Sequence, residues 1–214
     1  MQRIRSAAIM ASLVLFAVAA PLARATSAPA NPATRQAVLA PRKNDRILGN
    51  PNAPITIIEY ASLSCPHCAH FAEDVLPDIK KKWIDTGKAK LILRDFPLDE
   101  PALKAAMVAR CAPPDRFYPF VDALFADQPQ WVLAHDYQQA LVRIAELGGI
   151  SAKTVDACLK NKALEDSIVR ERLTAATDLG VDATPTFFVN GKKYTGEPTV
   201  AAFNQLLSSL APKA

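Results

Sequence analysis

The sequence predicts an α/β domain in which a central mixed sheet is flanked by helices and interrupted by an inserted helical subdomain. Three observations predict it. Two short apolar runs, Ile55-Thr56-Ile57-Ile58-Glu59-Tyr60 and Leu91-Ile92-Leu93, bracket a stretch of helical period; the period stays helical from Pro101 to Leu179; and Thr186-Phe187-Phe188-Val189 leads through Asn190-Gly191 into Lys192-Lys193-Tyr194. Strand, helix and strand in that order make a β-α-β unit with parallel strands. Asn-Gly, by contrast, supplies the two positive φ angles of a tight antiparallel hairpin.

With 214 residues, half of them hydrophobic and 21% charged, the chain has globular composition and the length of one compact domain. Its formal net charge of +4 includes Arg3, Arg5 and Arg24, and without them 22 basic residues face 21 acidic ones. A near-neutral chain gives little support for general electrostatic attraction to nucleic acid or to an anionic membrane, and no nucleic-acid partner is expected. The three arginines belong to an address. Arg3 and Arg5 form a positive start, Ala7 to Ala20 an apolar stretch, and Pro21 precedes Ala23-Arg24-Ala25, a small-residue pattern for cleavage ahead of Thr26. Residues 1–25 therefore read as a secretory signal peptide. The apolar stretch is shorter than the roughly 18 residues of a membrane anchor. No cysteine near the cleavage point offers a lipid acceptor, and Ile4 separates Arg3 from Arg5, against a twin-arginine signal. The destination is an oxidising compartment in which disulfides persist.

Thr26 to Asn44, rich in Ala and Pro without a sustained apolar period, reads as a flexible linker, and the folded domain (45–214) is expected to begin near Asp45. Pro51 and Pro54 frame a turn into the first strand, where Glu59 is the anomaly. Ser64 can cap a helix from Cys65 to about Trp83, with Phe71, Val75, Ile79 and Trp83 on one face and a kink at Pro77. Lys90 to Asp95 supplies the second strand. Phe117, Phe120, Val121, Leu124 and Phe125, then Leu141, Ile144 and Leu147, mark helices of the insertion over about 101–179. Gly148-Gly149 ends one helix, Ser151 can cap the next, and the last runs from about Ala163 to Leu179 before Gly180. Beyond the hairpin, Val200, Phe203, Leu207 and Leu210 outline a closing helix.

The chemistry sits where the first strand hands over to its helix, at Cys65-Pro66-His67-Cys68. In the first helical turn, free backbone N–H groups and the helix dipole stabilise a Cys65 thiolate, and Cys68, one turn deeper, is close enough to close a disulfide. Pro66 is tolerated because first-turn N–H groups have no helical partner, and His67 offers a second donor or cation beside Cys65. A redox switch follows. The alternatives are a permanent disulfide or half of a zinc site, but zinc calls for a second close pair, and Cys111 and Cys158 stand apart. No metal and no cofactor are expected. His70 and His135 read as surface residues without a role.

These residues resemble a known family. The first strand, Ser64-Cys65-Pro66-His67-Cys68, the helical insertion and Thr184-Pro185-Thr186-Phe187-Phe188-Val189-Asn190-Gly191 are similar to the thioredoxin-fold DsbA group of secreted thiol:disulfide oxidoreductases, over about Asp45 to Leu210. The resemblance implies a thioredoxin fold, a cis peptide before Pro185 facing the cysteines, and substrate peptide bound at the backbone of Thr184. It also places Glu59 at a buried acidic position below the cysteines. There a carboxyl of raised pKa passes protons to or from Cys68, the alternative being a strand-end residue that reaches solvent. Cys111 and Cys158 depart from the simplest members of the group. In an oxidising compartment they read as a structural disulfide tying two helices, or else as two unrelated buried thiols.

The expected activity is that of a periplasmic dithiol oxidase, monomeric, acting on unfolded or folding secreted proteins with free thiols. By resemblance, a quinone-linked membrane protein of the DsbB type reoxidises it. Two other readings stand beside this one. A disulfide isomerase or reductase of the DsbG-like type usually adds an oligomerisation segment, for which only Thr26 to Asn44 is available. A non-enzymatic chaperone or peptide-binding module would leave the cysteines incidental.

Overall fold

The computed structural model describes residues 31–211; the expected signal peptide, and residues 26–30 of the expected linker, lie outside the described residues. Five strands form one sheet: β1 (Arg46–Gly49), β2 (Ile55–Ala61), β3 (Ala89–Asp95), β4 (Thr186–Val189) and β5 (Lys192–Lys193), in the spatial order β1-β3-β2-β4-β5. β2 and β3 run parallel, with Ile55 opposite Ala89 and Ala61 opposite Asp95. β4 is antiparallel to β2 and sets Glu59 opposite Phe187. The hairpin closes through Asn190 (φ 47°) and Gly191 (φ 79°), as Asn-Gly requires. The Asn190 side chain also accepts the Thr56 N–H at 2.8 Å, pinning the tip to the neighbouring strand.

Strand alternation divides the sheet between two helical layers. Ile58, Tyr60, Ile92 and Phe188 face α1 (Pro32–Leu39) and the long helix that closes the insertion. Ile57, Leu91, Leu93, Phe187 and Val189 face the other layer, and Glu59 shares their side by alternation. That layer begins with a helical run over 66–84, in which α2 (Pro66–His70) and α3 (Leu76–Ile79) alternate with π segments at Phe71–Val75 and Lys80–Ile84. The irregularity expected at Pro77 thus takes the form of a widened turn on either side of α3. The insertion follows as α4 (Glu100–Cys111), α5 (Phe117–Ala126), α6 (Gln128–Val132), α7 (Tyr137–Leu147), α8 (Ala152–Leu159) and α9 (Lys162–Leu179), and α10 (Val200–Leu210) ends the described chain. Asp99, Asp136, Ser151, Asn161 and Thr199 each cap a helix by accepting an N–H of its first turn, and Gly180 (φ 67°) terminates α9.

For residues 31–44 the structure corrects the expectation of a flexible linker. Residues 32–39 are helical, Asn31 caps them, and Leu39 is buried against Ala175 and Leu179. The tie is polar and comes from the sheet. The fully buried Arg94 guanidinium donates to the carbonyls of Val38 (2.7 Å) and Ala40 (2.9 Å) and pairs with Asp45 at 2.9 Å. A buried cation needs that many acceptors, and the arm supplies them, so the folded domain starts before Asp45.

Smaller differences have local causes. Ser64 does not cap the active-site helix; Cys65 holds the cap position, and Ser64 Oγ donates instead to Asp99 at 2.7 Å. β1 is four residues long and is fixed by pairing with β3, for which Arg46-Ile47-Leu48-Gly49 carries little pattern. Leu147 and Leu210 extend their predicted stripes but stand exposed, beyond the packed part of each helix. Phe117, Phe120, Val121, Leu124 and Phe125 are all buried. Cys111, at the end of α4, is bonded to Cys158 on the packed neighbour α8.

Candidate active site

β2 ends at Ala61, and the chain turns by the bond from Cys65 N–H to the Ser62 carbonyl (3.1 Å). The Cys65 carbonyl then accepts the first helical bonds, from the N–H groups of Cys68 and Ala69 (3.1 Å each). Pro66 occupies the first helical position, where its missing N–H costs nothing. Cys68, one turn on, is fully buried, while Cys65 keeps 6% exposure at the mouth of the site. Both thiols are free. The Thr184–Pro185 peptide is cis, and the Thr184 carbonyl accepts from Cys65 Sγ at 3.3 Å. Closing the hairpin against β2 thus carries the 184–185 segment onto the cysteines.

The two sulfurs differ in kind. A hydrogen bond from the Cys68 thiol, with help from Thr184 and from the backbone N–H groups of Cys68 and His67, outweighs desolvation and lowers Cys65 to about 5. Cys68 is pushed well up by burial, by its hydrogen bond to Cys65 and by the negative charge of Glu59. Glu59 is 2% exposed, its Oε1 has no hydrogen-bond partner, and burial, reinforced by the Cys65 charge, raises it to about 8. At neutral pH, then, the site holds one thiolate, one thiol and one protonated carboxyl. Such an arrangement attacks or expels sulfur at Cys65 and stores the mobile proton deeper inside.

The other candidates fall into place around this trio. His67 is exposed and supports the thiolate through its backbone N–H. The Thr184 side chain is buried, with its hydroxyl oxygen free of any hydrogen-bond partner. His70 is exposed and pairs with Asp74 at 2.6 Å, and His135 is exposed. Among the described residues no group of three or more His, Cys, Asp or Glu side chains could hold a metal. Two contributors were not legible in the sequence. Gln128, buried on α6, donates to the carbonyls of Leu63 (2.7 Å) and Cys65 (3.1 Å), and Asp99 receives Ser64 while capping α4. Neither belongs to a motif, and only the folding of the insertion over the active-site loop brings them there.

A CxxC pair at the first strand-to-helix junction, on a sheet of this order, defines a class, and residues 42–209 match the family model described as Thioredoxin. The crystal structure of alpha-DsbA1 from Wolbachia pipientis superposes with a TM-score of 0.77 at 37% identity, covering 83% of this chain and 95% of that one. The chain belongs to the DsbA-like members of the thioredoxin family. A Rickettsia typhi protein with the provisional name protein-disulfide oxidoreductase is 34% identical over 69% of this chain. Disulfide bond formation protein D of Bacillus subtilis is 28% identical, across 70% of this chain and 69% of its own length. The chain spans about half the length of the Rickettsia relatives it matches, 55% in that first case.

Proposed function

We propose that this protein is a thiol:disulfide oxidoreductase that works as a dithiol oxidase, donating a Cys65–Cys68 disulfide to secreted proteins during oxidative folding. A substrate thiolate attacks Cys65 Sγ, the Cys65–Cys68 bond breaks, and Cys68 leaves with the electron pair, taking a proton from the Glu59 carboxyl. A second substrate thiolate attacks the substrate sulfur of the mixed disulfide and expels Cys65 as thiolate. Two electrons pass to the protein, and the substrate leaves with one new disulfide. Thr184 and Pro185 line the place where the substrate backbone lies.

The observation that carries the direction is the acidic Cys65 beside a shielded Cys68. A stabilised thiolate is a good leaving group and favours the reduced enzyme, which is what an oxidant requires. The signal-peptide reading of residues 1–25 puts the protein in the periplasm. There it acts as a monomer, and a quinone-linked membrane protein of the DsbB type takes its electrons. Mixing the oxidised protein with an equimolar reduced peptide bearing two cysteines tests the reading. A disulfide in the peptide with Cys65 and Cys68 reduced is the expected end state; an equilibrium that leaves the peptide reduced would overturn it in favour of a reductase or isomerase.

A further inference from the structure

A buried side chain of the insertion reaches the backbone of the catalytic loop. Gln128 is 6% exposed, and its amide Nε2 meets two carbonyl oxygens, Leu63 at 2.7 Å and Cys65 at 3.1 Å. Two carbonyls admit only a donor, so the orientation of the amide is fixed by its surroundings. The helix that carries it is itself fixed. Trp131, wholly buried on α6, donates its indole N–H to the Leu124 carbonyl at 2.7 Å, locking α6 against α5. Gln128 therefore presents two N–H groups from a rigid mount to a loop that has no strand neighbour of its own between Ala61 and Pro66.

Holding those two carbonyls has a consequence for the sulfur. The Cys65 carbonyl also accepts the N–H groups of Cys68 and Ala69. Its direction sets how the first-turn peptide planes lie, and with them whether the N–H groups of His67 and Cys68 point at Cys65 Sγ. We propose that Gln128 is a positioning residue for thiol exchange: by clamping the Leu63 and Cys65 carbonyls, it holds the first-turn N–H groups on the Cys65 sulfur and so keeps that sulfur a thiolate. The inference deepens the exchange function proposed above and rests on it for its catalytic consequence. It assigns to the insertion a part in the chemistry.

Gln128→Met keeps the length and volume of the side chain and removes both donors. The test is the ultraviolet thiolate absorbance of the reduced protein, titrated in the absence of substrate. Below pH 7 this reports Cys65 alone, because Cys68 is pushed well up. Loss of one net hydrogen bond's worth of support moves the midpoint up by about 0.7 pH unit, or about fivefold less thiolate at about pH 4. A midpoint equal to that of the natural protein overturns the proposal, even if the variant melts earlier, since a merely structural brace would lower the melt and leave the titration in place. Should Gln128→Met not fold, Gln128→Asn carries the test: its amide is withdrawn by one carbon, an intermediate upward shift is expected, and an unshifted midpoint overturns the proposal. Transfer from the natural protein to a reduced peptide is measured in parallel. Its failure would remove the oxidase reading while leaving the comparison of midpoints intact.

Discussion

The Thr184 carbonyl accepts from Cys65 Sγ at 3.3 Å across 119 residues of chain. This contact belongs to the thiol form, because a thiolate has no proton to offer a carbonyl. The Cys68 thiol, the Thr184 side chain and the backbone N–H groups of Cys68 and His67 act on the thiolate instead. Cys65 thus has a partner in each protonation state, and the thiolate's partners outnumber the thiol's. When the proton leaves, the Thr184 carbonyl is released from this bond.

Exchange should divide between the cysteines according to their exposure. Cys65→Ser is expected to abolish disulfide transfer, whereas Cys68→Ser leaves an attacking thiolate with no resolving partner and accumulates mixed disulfides with substrate, visible on non-reducing gels. Cys68 is fully buried and pushed upward, so alkylation of the reduced protein at neutral pH should label Cys65 first. Faster labelling of Cys68 would reverse the assignment.

Glu59→Gln should stabilise the fold at high pH and slow exchange. A carboxyl whose folded value is raised, here to about 8 from an ordinary 4.5, contributes stability that is full below the unfolded value and is lost as pH rises through the folded one. At pH 7 the cost is about 3 kcal/mol. Denaturant melts of the variant and the natural protein should therefore coincide near pH 4 and separate by about 4 kcal/mol by pH 8. The same variant lacks the proton that Cys68 needs, so disulfide transfer at neutral pH should slow. Parallel melts at all pH values would mean that Glu59 does not titrate between the folded and unfolded states.

What was legible in the sequence was whatever is carried locally. The β-α-β opening, the Asn190-Gly191 hairpin, the cap at Ser151, the stop at Gly180 and the CxxC all depend on residues within one or two turns of each other. Glu59 was visible as a polar break in an apolar strand, and the alternation of that strand turns it toward the helix that carries Cys68. The arm over 32–39 was not legible. Its packed face is little more than Val38 and Leu39, and its main ties come from Arg94, more than 50 residues away in sequence. Gln128 and Asp99 were hidden for the same reason: a buried amide and a helix cap look alike in any sequence, and only the tertiary path of the insertion sets them against Leu63, Cys65 and Ser64.

Thr184→Val should leave the fold intact and raise Cys65, because the hydroxyl, without a partner beside the thiol, is among the groups that lower Cys65 once it ionises. The backbone carbonyl that meets Cys65 is unchanged. The new methyl does change the wall beside the sulfur, so relative rates across a set of reduced peptides should shift. Identical rates across the set would argue that substrate does not contact this side chain.

Replacing Cys111 and Cys158 together by Ala should lower stability and spare disulfide transfer. The bond closes a separation of 47 residues, for which the chain-entropy account gives about 4 kcal/mol as an upper figure. It joins α4 to α8, whereas the loop contacts of Gln128 and Asp99 come from α6 and the start of α4. Loss of transfer in a double variant that still melts cooperatively would instead couple this pair to the redox pair.

The reduced protein should be the more stable redox form at neutral pH, and the order should invert on acidification. Closing the short Cys65–Cys68 loop stabilises the oxidised form by about 2 kcal/mol through the unfolded state. Against this stands the Cys65 thiolate, lowered to about 5 from an ordinary 9.0. A depressed folded value gives stability that is full above the unfolded value and disappears as pH falls through the folded one, so the thiolate contributes 2 to 3 kcal/mol, roughly, at pH 7 and almost nothing at pH 4. The Glu59 cost has the opposite slope and is present in both redox forms, so it largely cancels from their difference. It does not cancel from either form alone. Over about pH 5 to 8 the stability of the reduced protein should be nearly flat, the Cys65 gain offsetting the Glu59 loss, while that of the oxidised protein falls. The curves should cross near about pH 6.5, where the thiolate gain equals the loop term. Denaturant melts of both forms from about pH 4 to pH 8 measure this directly. An oxidised form that stays the more stable throughout would mean that the folded site does not acidify Cys65, and the oxidising direction would lose its driving force.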